Sequence, residues 1–200
     1  MTAREVRIHA PVWTPRDEIE RYVALQQDWL RRTWARLQTQ ALPVDADPGV
    51  RYLGRRLDVV REPALFTRIV RRGDVLHIQA PEHEPLDALL RAWLVERAAR
   101  VLAWRTARLA RRFGRAPTRF ALSNAQTQWG SCTRRGHVRL NWRLVQAPLA
   151  LVDYVAAHEL AHLVHLDHSP RFWAQVAELC PDALARRTEL RKIGHSLFRV

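Results

Sequence analysis

The residues with the clearest chemical potential lie at positions 158–173, where the chain reads HELAHLVHLDHSPRFW. His158 and His162 are four positions apart, so on a helix their rings share one face and can bind one zinc ion. Glu159 lies about 100° round the same helix, where it can reach a water molecule on that ion without binding the ion itself. The pattern His-Glu-x-x-His therefore predicts the zinc site of a hydrolase.

A catalytic zinc site needs a third protein ligand and keeps one position open. On a continuous helix, His165 would lie about 7.5 Å along the axis from the midpoint of the histidine pair, which is too far for a ligand. We expect the helix to end near Leu166 and Asp167, so that the chain can turn and bring His168 back towards the metal. Ligand type and reach favour His168, and Asp167 and Glu178 remain alternatives.

The helix that carries the histidine pair is predicted to begin after Pro148. At about 100° per residue, its apolar residues fall into two stripes that lie roughly 140° apart. One stripe contains Leu149, Val152, Ala156, Leu160 and Leu163. The other contains Leu151, Val155, His158, His162 and His165. The histidines therefore face something other than the main core, which suits a helix at the floor of a cleft.

Other elements must position this helix. Alternating and periodic apolar residues predict a strand at residues 6–10 and a helix at 15–40, followed by a loop rich in Pro, Asp and Gly at 41–49. Short strands are expected at 52–60, 65–70 and 75–80, the last two as a hairpin that turns at 71–74. A long helix should run from Pro85 to Phe113, and residues 118–122 and 127–141 should form strands, the second range as a hairpin. Further helices should start near Pro170 and Pro181.

Composition narrows the class of protein. The chain has 200 residues, of which 48% are hydrophobic, and eight are Trp, which is enough to bury a core. Basic residues outnumber acidic ones by 33 to 20, and every basic residue except Lys192 is Arg. This charge could attract nucleic acid, but the basic residues are scattered, so we expect only weak, non-specific binding.

Other features argue against a membrane or secreted protein. The most apolar stretch, residues 147–164, contains charged and histidine side chains, so no membrane span is expected. The first residues are charged where a signal peptide needs an apolar segment. The two cysteines, Cys132 and Cys180, are too few for a disulfide framework. We therefore expect a cytoplasmic protein with free thiols.

Five separated motifs occur in a familiar order along the chain. They are WGSC at 129–132, NWRL at 141–144, DYV at 153–155, HELAH at 158–162 and DHSPRFW at 167–173. Together they resemble the YgjP-like metallopeptidase family, which is related to the SprT-like and WLM zinc proteases, and the resemblance covers residues 50 to 190. It implies that His158, His162 and His168 bind zinc and that Glu159 is the catalytic base.

The resemblance also implies an architecture. We expect an α+β fold, a small zincin-like metalloprotease domain in which the His-Glu-x-x-His helix packs beside a short antiparallel sheet. Residues 1–49 would form an N-terminal α/β portion with its Pro/Gly loop. Residues 50–200 would form the metallopeptidase domain, with the site-bearing part at 115–200.

The WGSC motif is expected to take part in substrate binding. In related zinc proteases an edge strand runs along the cleft and pairs with extended substrate, so the resemblance places Trp129, Gly130 and Ser131 on such a strand. Cys132 is more consistent with a buried structural thiol than with a ligand or nucleophile. Tyr154, one turn before His158, could donate a hydrogen bond in the site, although a packing role is favoured.

These observations predict a zinc-dependent metallopeptidase that hydrolyses polypeptides through a zinc-activated water, with Glu159 as general base. One alternative is a zinc-dependent nucleotide (UTP) pyrophosphatase, because YgjP-like proteins are sometimes described in this way. Another is a DNA-associated protease of the SprT-like type. A nucleic-acid module with a structural zinc is the least favoured, because Glu159 would then have no role. The seven glycines are too dispersed to form a phosphate-binding turn, which favours the peptide bond as the target.

Overall fold

The computed structural model describes residues 14–28, 31–32 and 49–198. The chain divides into two compact units, residues 1–47 and 48–200. The strand predicted at residues 6–10 and nearly all of the loop predicted at 41–49 lie outside the described residues. Among the helices that are described, none is both long enough and apolar enough to cross a membrane.

The described part of the first unit contains helix α1 (Arg16–Leu25). Two ion pairs with a spacing of four residues support this helix: Arg16 with Glu20 at 3.0 Å and Arg21 with Asp17 at 3.3 Å. Its position confirms the beginning of the helix predicted for residues 15–40.

The second unit opens with four strands, β1 (Val50–Tyr52), β2 (Arg55–Pro63), β3 (Arg68–Arg72) and β4 (Val75–Ala80). They form one sheet in the order β1-β2-β4-β3. The pairs β1–β2 and β3–β4 are antiparallel, and β2–β4 is parallel. The β3–β4 hairpin turns at Gly73, as the sequence predicted.

The turn between β1 and β2 packs against the segment that leads into the site helix. Leu53 and Gly54 have φ angles of 52° and 81°, the left-handed values that a tight two-residue hairpin turn requires. Their N–H groups donate to the carbonyls of Val145 and Gln146 at 2.8 and 3.0 Å. A Cβ on Gly54 would lie 2.9 Å from a ring carbon of Pro148, so only glycine fits this approach.

Helix α2 (Leu86–Phe113) is the longest described element, and both of its ends were predicted. It follows Pro85 and ends at Gly114, which adopts a left-handed φ of 72°. Near its middle, Arg105 binds both carboxylate oxygens of Asp153 on the site helix, with Nε 2.6 Å from Oδ1 and Nη2 in contact with Oδ2. This ion pair fixes the site helix against α2.

A second sheet lies beside the site helix. Its strands are β5 (Arg119–Ser123), β6 (Gly130–Cys132) and β7 (His137–Asn141), in the order β5-β7-β6. The β6–β7 hairpin is antiparallel as predicted, although β6 is shorter than expected. The prediction of an antiparallel sheet is wrong for β5 and β7, which are parallel. The reason is that β6 runs back from the end of β5, and β7 then returns between the two strands.

The remaining elements are helices: α3 (Leu149–Ala161), α4 (Pro170–Leu179) and α5 (Ala183–Ile193), with 3-10 helices at Trp142–Gln146 and Gly194–Phe198. Helix α3 carries the histidine pair, and nine of its thirteen residues are buried. The two predicted stripes are therefore both covered by other elements. The α+β class is confirmed.

Helix α3 ends about one turn earlier than the sequence predicted. The N–H groups of Leu163 and Val164 donate to the carbonyls of Leu160 and Ala161, at 2.9 and 3.1 Å, so each bond spans three residues instead of four. The chain leaves the helix after Ala161. This early exit lets the following loop carry His168 back towards α3.

Candidate metal centre and cleft

Three histidine side chains meet at the end of α3. His158 comes from its last turn, His162 caps its C-terminus, and His168 comes from the loop before α4. One ring nitrogen from each histidine lies within 4.8 Å of the other two. Within the described ranges, no other group of three His, Cys, Asp or Glu side chains is placed in this way.

The spacing of the group fits a divalent metal ion. The Nε2 atoms of His158 and His168 are 3.2 Å apart. Two imidazole nitrogens that bind one tetrahedral zinc ion at about 2.0–2.1 Å would be separated by roughly 3.3 Å. The two rings are therefore already placed as a pair of ligands would be.

The protonation of the group also suits a metal ion. Burial, followed by the charges of His162, His168 and Arg187, lowers the pKa of His158 to about 4. Burial likewise lowers the pKa of His162, although a hydrogen bond to the backbone of His165 opposes this shift. Neutral imidazole is the form that binds metals, so these two rings are ready to act as ligands at neutral pH.

The carbonyl of His165 orients the ring of His162. Nδ1 of His162 lies 2.9 Å from this oxygen, and because a carbonyl only accepts, Nδ1 must carry the proton and donate. The lone pair of the His162 ring is then on Nε2, which is the usual arrangement for a histidine that binds a metal. His165 thus contributes through its backbone, and its side chain is not part of the group of three histidines.

The start of α4 positions His168. Ser169 caps this helix, and its hydroxyl accepts a hydrogen bond from the N–H of Phe172 at 3.4 Å. Phe172 is fully buried, and its ring lies 4.8, 4.5 and 4.8 Å from the rings of His158, His162 and His168. The aromatic ring therefore acts as a common packing surface for all three histidines.

The two other candidate ligands lie outside the group. An oxygen of Asp167 accepts a hydrogen bond from the N–H of Ser169 at 3.3 Å. The carboxylate of Glu178 accepts from the side chain of Gln175 at 2.6 Å. Both residues are exposed, and each carboxylate already has a local partner.

Glu159 is buried beside the first histidine, with 5% of its surface exposed. Burial raises the pKa of its carboxyl to about 8. The space that it occupies depends on Gly130 of β6, because a Cβ there would lie 2.5 Å from Oε1 of Glu159 and 2.6 Å from its Cγ. A glycine on the neighbouring strand is therefore needed for this carboxyl to sit where it does.

Strand β6 presents alternate residues to α3. Gly130 faces Glu159, and Cys132 lies near enough for the charge of Glu159 to affect its thiol. Ser131 lies between them and points to the opposite face, since side chains alternate along a strand. Trp129 and Gly130 line the cavity described below, and Ser131 does not.

The thiol of Cys132 is not activated. Burial, and secondarily the charge of Glu159, raises its pKa to about 11, so it stays protonated at neutral pH. Cys132 and Cys180 are both free. The chemistry of the thiol thus agrees with the expected structural role of Cys132.

The side chain of Asn141 fixes the loop that leads into β6. Its amide donates to the carbonyls of Ala125 and Gln128 at 2.7 and 3.2 Å, and its oxygen accepts from the N–H of Arg143 at 3.1 Å. Its own N–H donates to the carbonyl of Trp129 at 2.8 Å. The NWRL motif therefore positions one wall of the cleft.

A cavity of about 270 Å³ opens beside His158 and Glu159. Helix α3 contributes His158 and Glu159 as well as Tyr154, whose ring is largely buried. The opposite wall comes from α5, through Arg187, Leu190 and Arg191. Sequence reasoning missed these arginines, because their spacing of four residues on a helix is common in a chain with 33 basic residues.

Comparison with known proteins identifies the family of the chain. A protein-family model described as YgjP-like, metallopeptidase domain, matches residues 1–193. A metallopeptidase family implies a metal ion, and the group of three histidines could hold one. No curated protein and no solved structure matches the chain.

Proposed function

Because the chain belongs to the YgjP-like metallopeptidase family, we propose that it is a zinc-dependent hydrolase of peptide bonds. The observation that carries the proposal is the meeting of three histidine nitrogens, within 4.8 Å of one another, beside a buried glutamate that shares a cavity with His158. Three nitrogen ligands with one open position are typical of catalytic zinc, whereas structural zinc sites are usually closed by a fourth ligand.

In this proposal, His158, His162 and His168 hold the ion. When bound by three neutral ligands, zinc supplies a Lewis acid that polarises a carbonyl and makes water acidic enough to ionise near pH 7. The carbonyl of His165 and the ring of Phe172 keep the histidine rings in place, as described above. These contacts reduce the freedom that the ligands would lose on binding the metal.

Glu159 is proposed as the general base. It follows His158 directly and lines the same cavity, so its carboxylate can accept a proton from the attacking water and pass it to the leaving amine. Burial favours the protonated form in the metal-free chain, and a cation held by the three histidines would favour the carboxylate. Gly130 keeps the carboxyl from being displaced by β6.

Strand β6 is proposed to bind the substrate. Among the described residues it pairs only with β7, so its other edge is free to pair with an extended peptide. Trp129 and Gly130, which line the cavity wall, would contact the substrate, and Ser131 would offer its backbone N–H and carbonyl groups to it. A peptide that lies along this edge also lies beside His158 and Glu159.

The structure favours a peptide bond over a phosphoanhydride. Backbone nests that hold phosphates need residues with left-handed φ values. The described glycines with positive φ are Gly54, Gly73, Gly114 and Gly136. None of them lines the cavity beside Glu159. A nucleotide pyrophosphatase would therefore have to hold its phosphates without such a nest.

The test uses the zinc-loaded protein and its Glu159→Gln variant, which keeps all three histidines. Each would be offered unfolded protein, a peptide library and UTP. We expect zinc content to be unchanged and peptide hydrolysis to fall by at least about 100-fold in the variant. Glu178→Gln makes the same chemical change at an exposed carboxylate and should leave both measurements unaltered.

Two outcomes would overturn the proposal. Full hydrolysis by zinc-loaded Glu159→Gln protein would remove this residue from the role of general base. Pyrophosphate release from UTP that disappears in the variant, without cleavage of any peptide, would mean that the scissile bond is a phosphoanhydride.

A further inference from the structure

Two arginines on the cavity wall have no acidic partner in the part of the chain that the structure describes. Arg187 and Arg191 are four residues apart on α5, so they share one face of this helix, and both line the cavity. Among the described residues, neither makes an ion pair or a side-chain hydrogen bond. Two nearby acidic residues, Asp182 just before α5 and Glu189 within it, instead pair with Arg186, at 3.5 and 3.1 Å.

Arg187 is held close to His158 and His168. Its guanidinium lies 5.1 Å from the centre of the Trp173 ring, a cation-π contact. The Trp173 ring lies 5.7 Å from the ring of His158 and 6.1 Å from the ring of His168. Stacking on Trp173 therefore fixes the charge of Arg187 beside the metal-binding group without neutralising it.

The charges of the two arginines affect another side chain that lines the cavity. The charges of Arg187 and Arg191 both lower the pKa of Tyr154, opposing the rise that burial causes. Glu159 is the only acidic residue on the lining, and it lies at the α3 side. The α5 side of the cavity is thus lined by two arginines, and the guanidinium group of an arginine can bind a carboxylate through two parallel hydrogen bonds.

We propose that Arg187 and Arg191 bind a carboxylate of the peptide substrate next to the scissile bond, either an acidic side chain or the C-terminal carboxylate. This inference rests on the proposed peptidase function and names its substrate preference. A peptide that pairs with β6 would occupy the cavity between this strand and α5, so a group on its far side would meet the two arginines.

The lining of the cavity favours a carboxylate over the phosphates of a nucleotide. The cavity, of about 270 Å³, has room for one side chain or one chain end of a peptide. The absence of a left-handed glycine from its lining argues in the same direction.

The test measures binding separately from catalysis. Zinc-loaded Glu159→Gln protein would be titrated with a neutral peptide that contains several Gln residues. The peptide would be tested with a C-terminal amide, with a free C-terminal carboxylate, and as a series of amides in which Glu replaces one Gln at a time. We expect at least one carboxylate form to bind about tenfold more tightly than the neutral amide. Comparison of the forms identifies which source of carboxylate is recognised.

The same titration in an Arg187→Gln/Arg191→Gln background should abolish the preference. Arg186→Gln removes one positive charge from the same helix, as each single replacement of the pair does, but outside the cavity lining, and it should leave the preference intact. Arg191→Gln alone provides a second variant, because Arg191 is exposed and its replacement does not disturb the stacking on Trp173. It should reduce the preference without changing the melting temperature.

Failure of this inference can be told apart from failure of the peptidase function. Equal binding of all peptide forms, or a preference that survives the double variant, would overturn the inference. So would binding of UTP in place of peptides that is lost in the double variant. Cleavage of a peptide by the wild-type protein that is lost in the Glu159→Gln variant would support the peptidase function, whatever the outcome of the binding comparison. If no protein cleaves any peptide, the peptidase function fails, and the binding comparison still decides the inference.

Discussion

Replacing Gly130 with Ala should impair catalysis without removing the metal. The new Cβ would lie 2.5 Å from Oε1, 2.6 Å from Cγ and 2.8 Å from Cδ of Glu159. The backbone itself accepts alanine, because Gly130 is not among the glycines with positive φ. Ordinary contact begins near 3.4 Å, so either the carboxyl or β6 must move by roughly 1 Å.

The size of the effect follows from the burial of Glu159. Only 5% of its surface is exposed, so the carboxyl has little space to move into, and overpacking of this kind costs about 1–3 kcal/mol of stability. A shift of about 1 Å in a catalytic group lowers the rate by about 100-fold. The three atoms closest to the new Cβ all belong to Glu159, so zinc affinity should not change.

The assay combines zinc content, melting temperature and the rate of peptide cleavage. Gly194→Ala is the matched control, because its Cβ would lie 3.2 Å from a ring carbon of Trp129 and would not meet Glu159. We expect this control to keep most of its activity. Wild-type cleavage by Gly130→Ala protein, at an unchanged melting temperature, would refute the close packing of β6 on Glu159. A loss of zinc from the variant would refute the separation of metal binding from catalysis.

Three other measurements test the site and its support. His168→Ala should lower zinc content sharply, whereas His165→Ala should barely change it because His165 contributes only its carbonyl; the reverse order in a metal titration would contradict the ligand assignment. Arg105→Ala leaves Asp153 without its partner, so the free energy of unfolding, measured by thermal or urea denaturation, should fall by about 1–3 kcal/mol. An unchanged value would mean that this ion pair does not stabilise the contact between α2 and α3. Because the pKa of Cys132 is raised to about 11, little of its thiol is ionised at pH 8. Alkylation of Cys132 in the metal-free protein should therefore be about 100-fold slower than alkylation of an ordinary thiol, and its rate should rise up to about pH 11. Mass spectrometry of the labelled peptides measures this rate, and an ordinary rate at about pH 8 would contradict the prediction.

Much of the fold could be predicted from local sequence patterns. The ends of α2 were predictable because Pro85 and Gly114 determine backbone angles within a residue or two. The two hairpins that turn near Gly73 and Gly136 were predictable for the same reason. The parallel pairing of β5 with β7 was not, because it depends on which strand inserts between two others, and no short-range preference records that choice.

Part of the candidate site was likewise predictable from the sequence, and part was not. The sequence by itself determined the His158–Glu159–His162 arrangement, because a spacing of four residues on a helix places two rings together whatever surrounds them. It favoured His168 by reach, but only the tertiary structure decided how the early end of α3 and the ring of Phe172 bring this side chain to the other two. The resemblance added a matching ligand set.

Only the tertiary structure could decide what surrounds these residues. Gly130 lies 29 positions before Glu159 in the chain, and Arg187 lies 28 positions after it, yet both line one cavity with it. Such contacts join elements that are far apart in sequence, so they depend on how sheets and helices pack and leave no periodic signal in the residues themselves. For that reason the chemistry of the candidate metal site could be predicted from a few neighbouring residues, whereas the shape and charge of the cleft could be seen only in the folded structure.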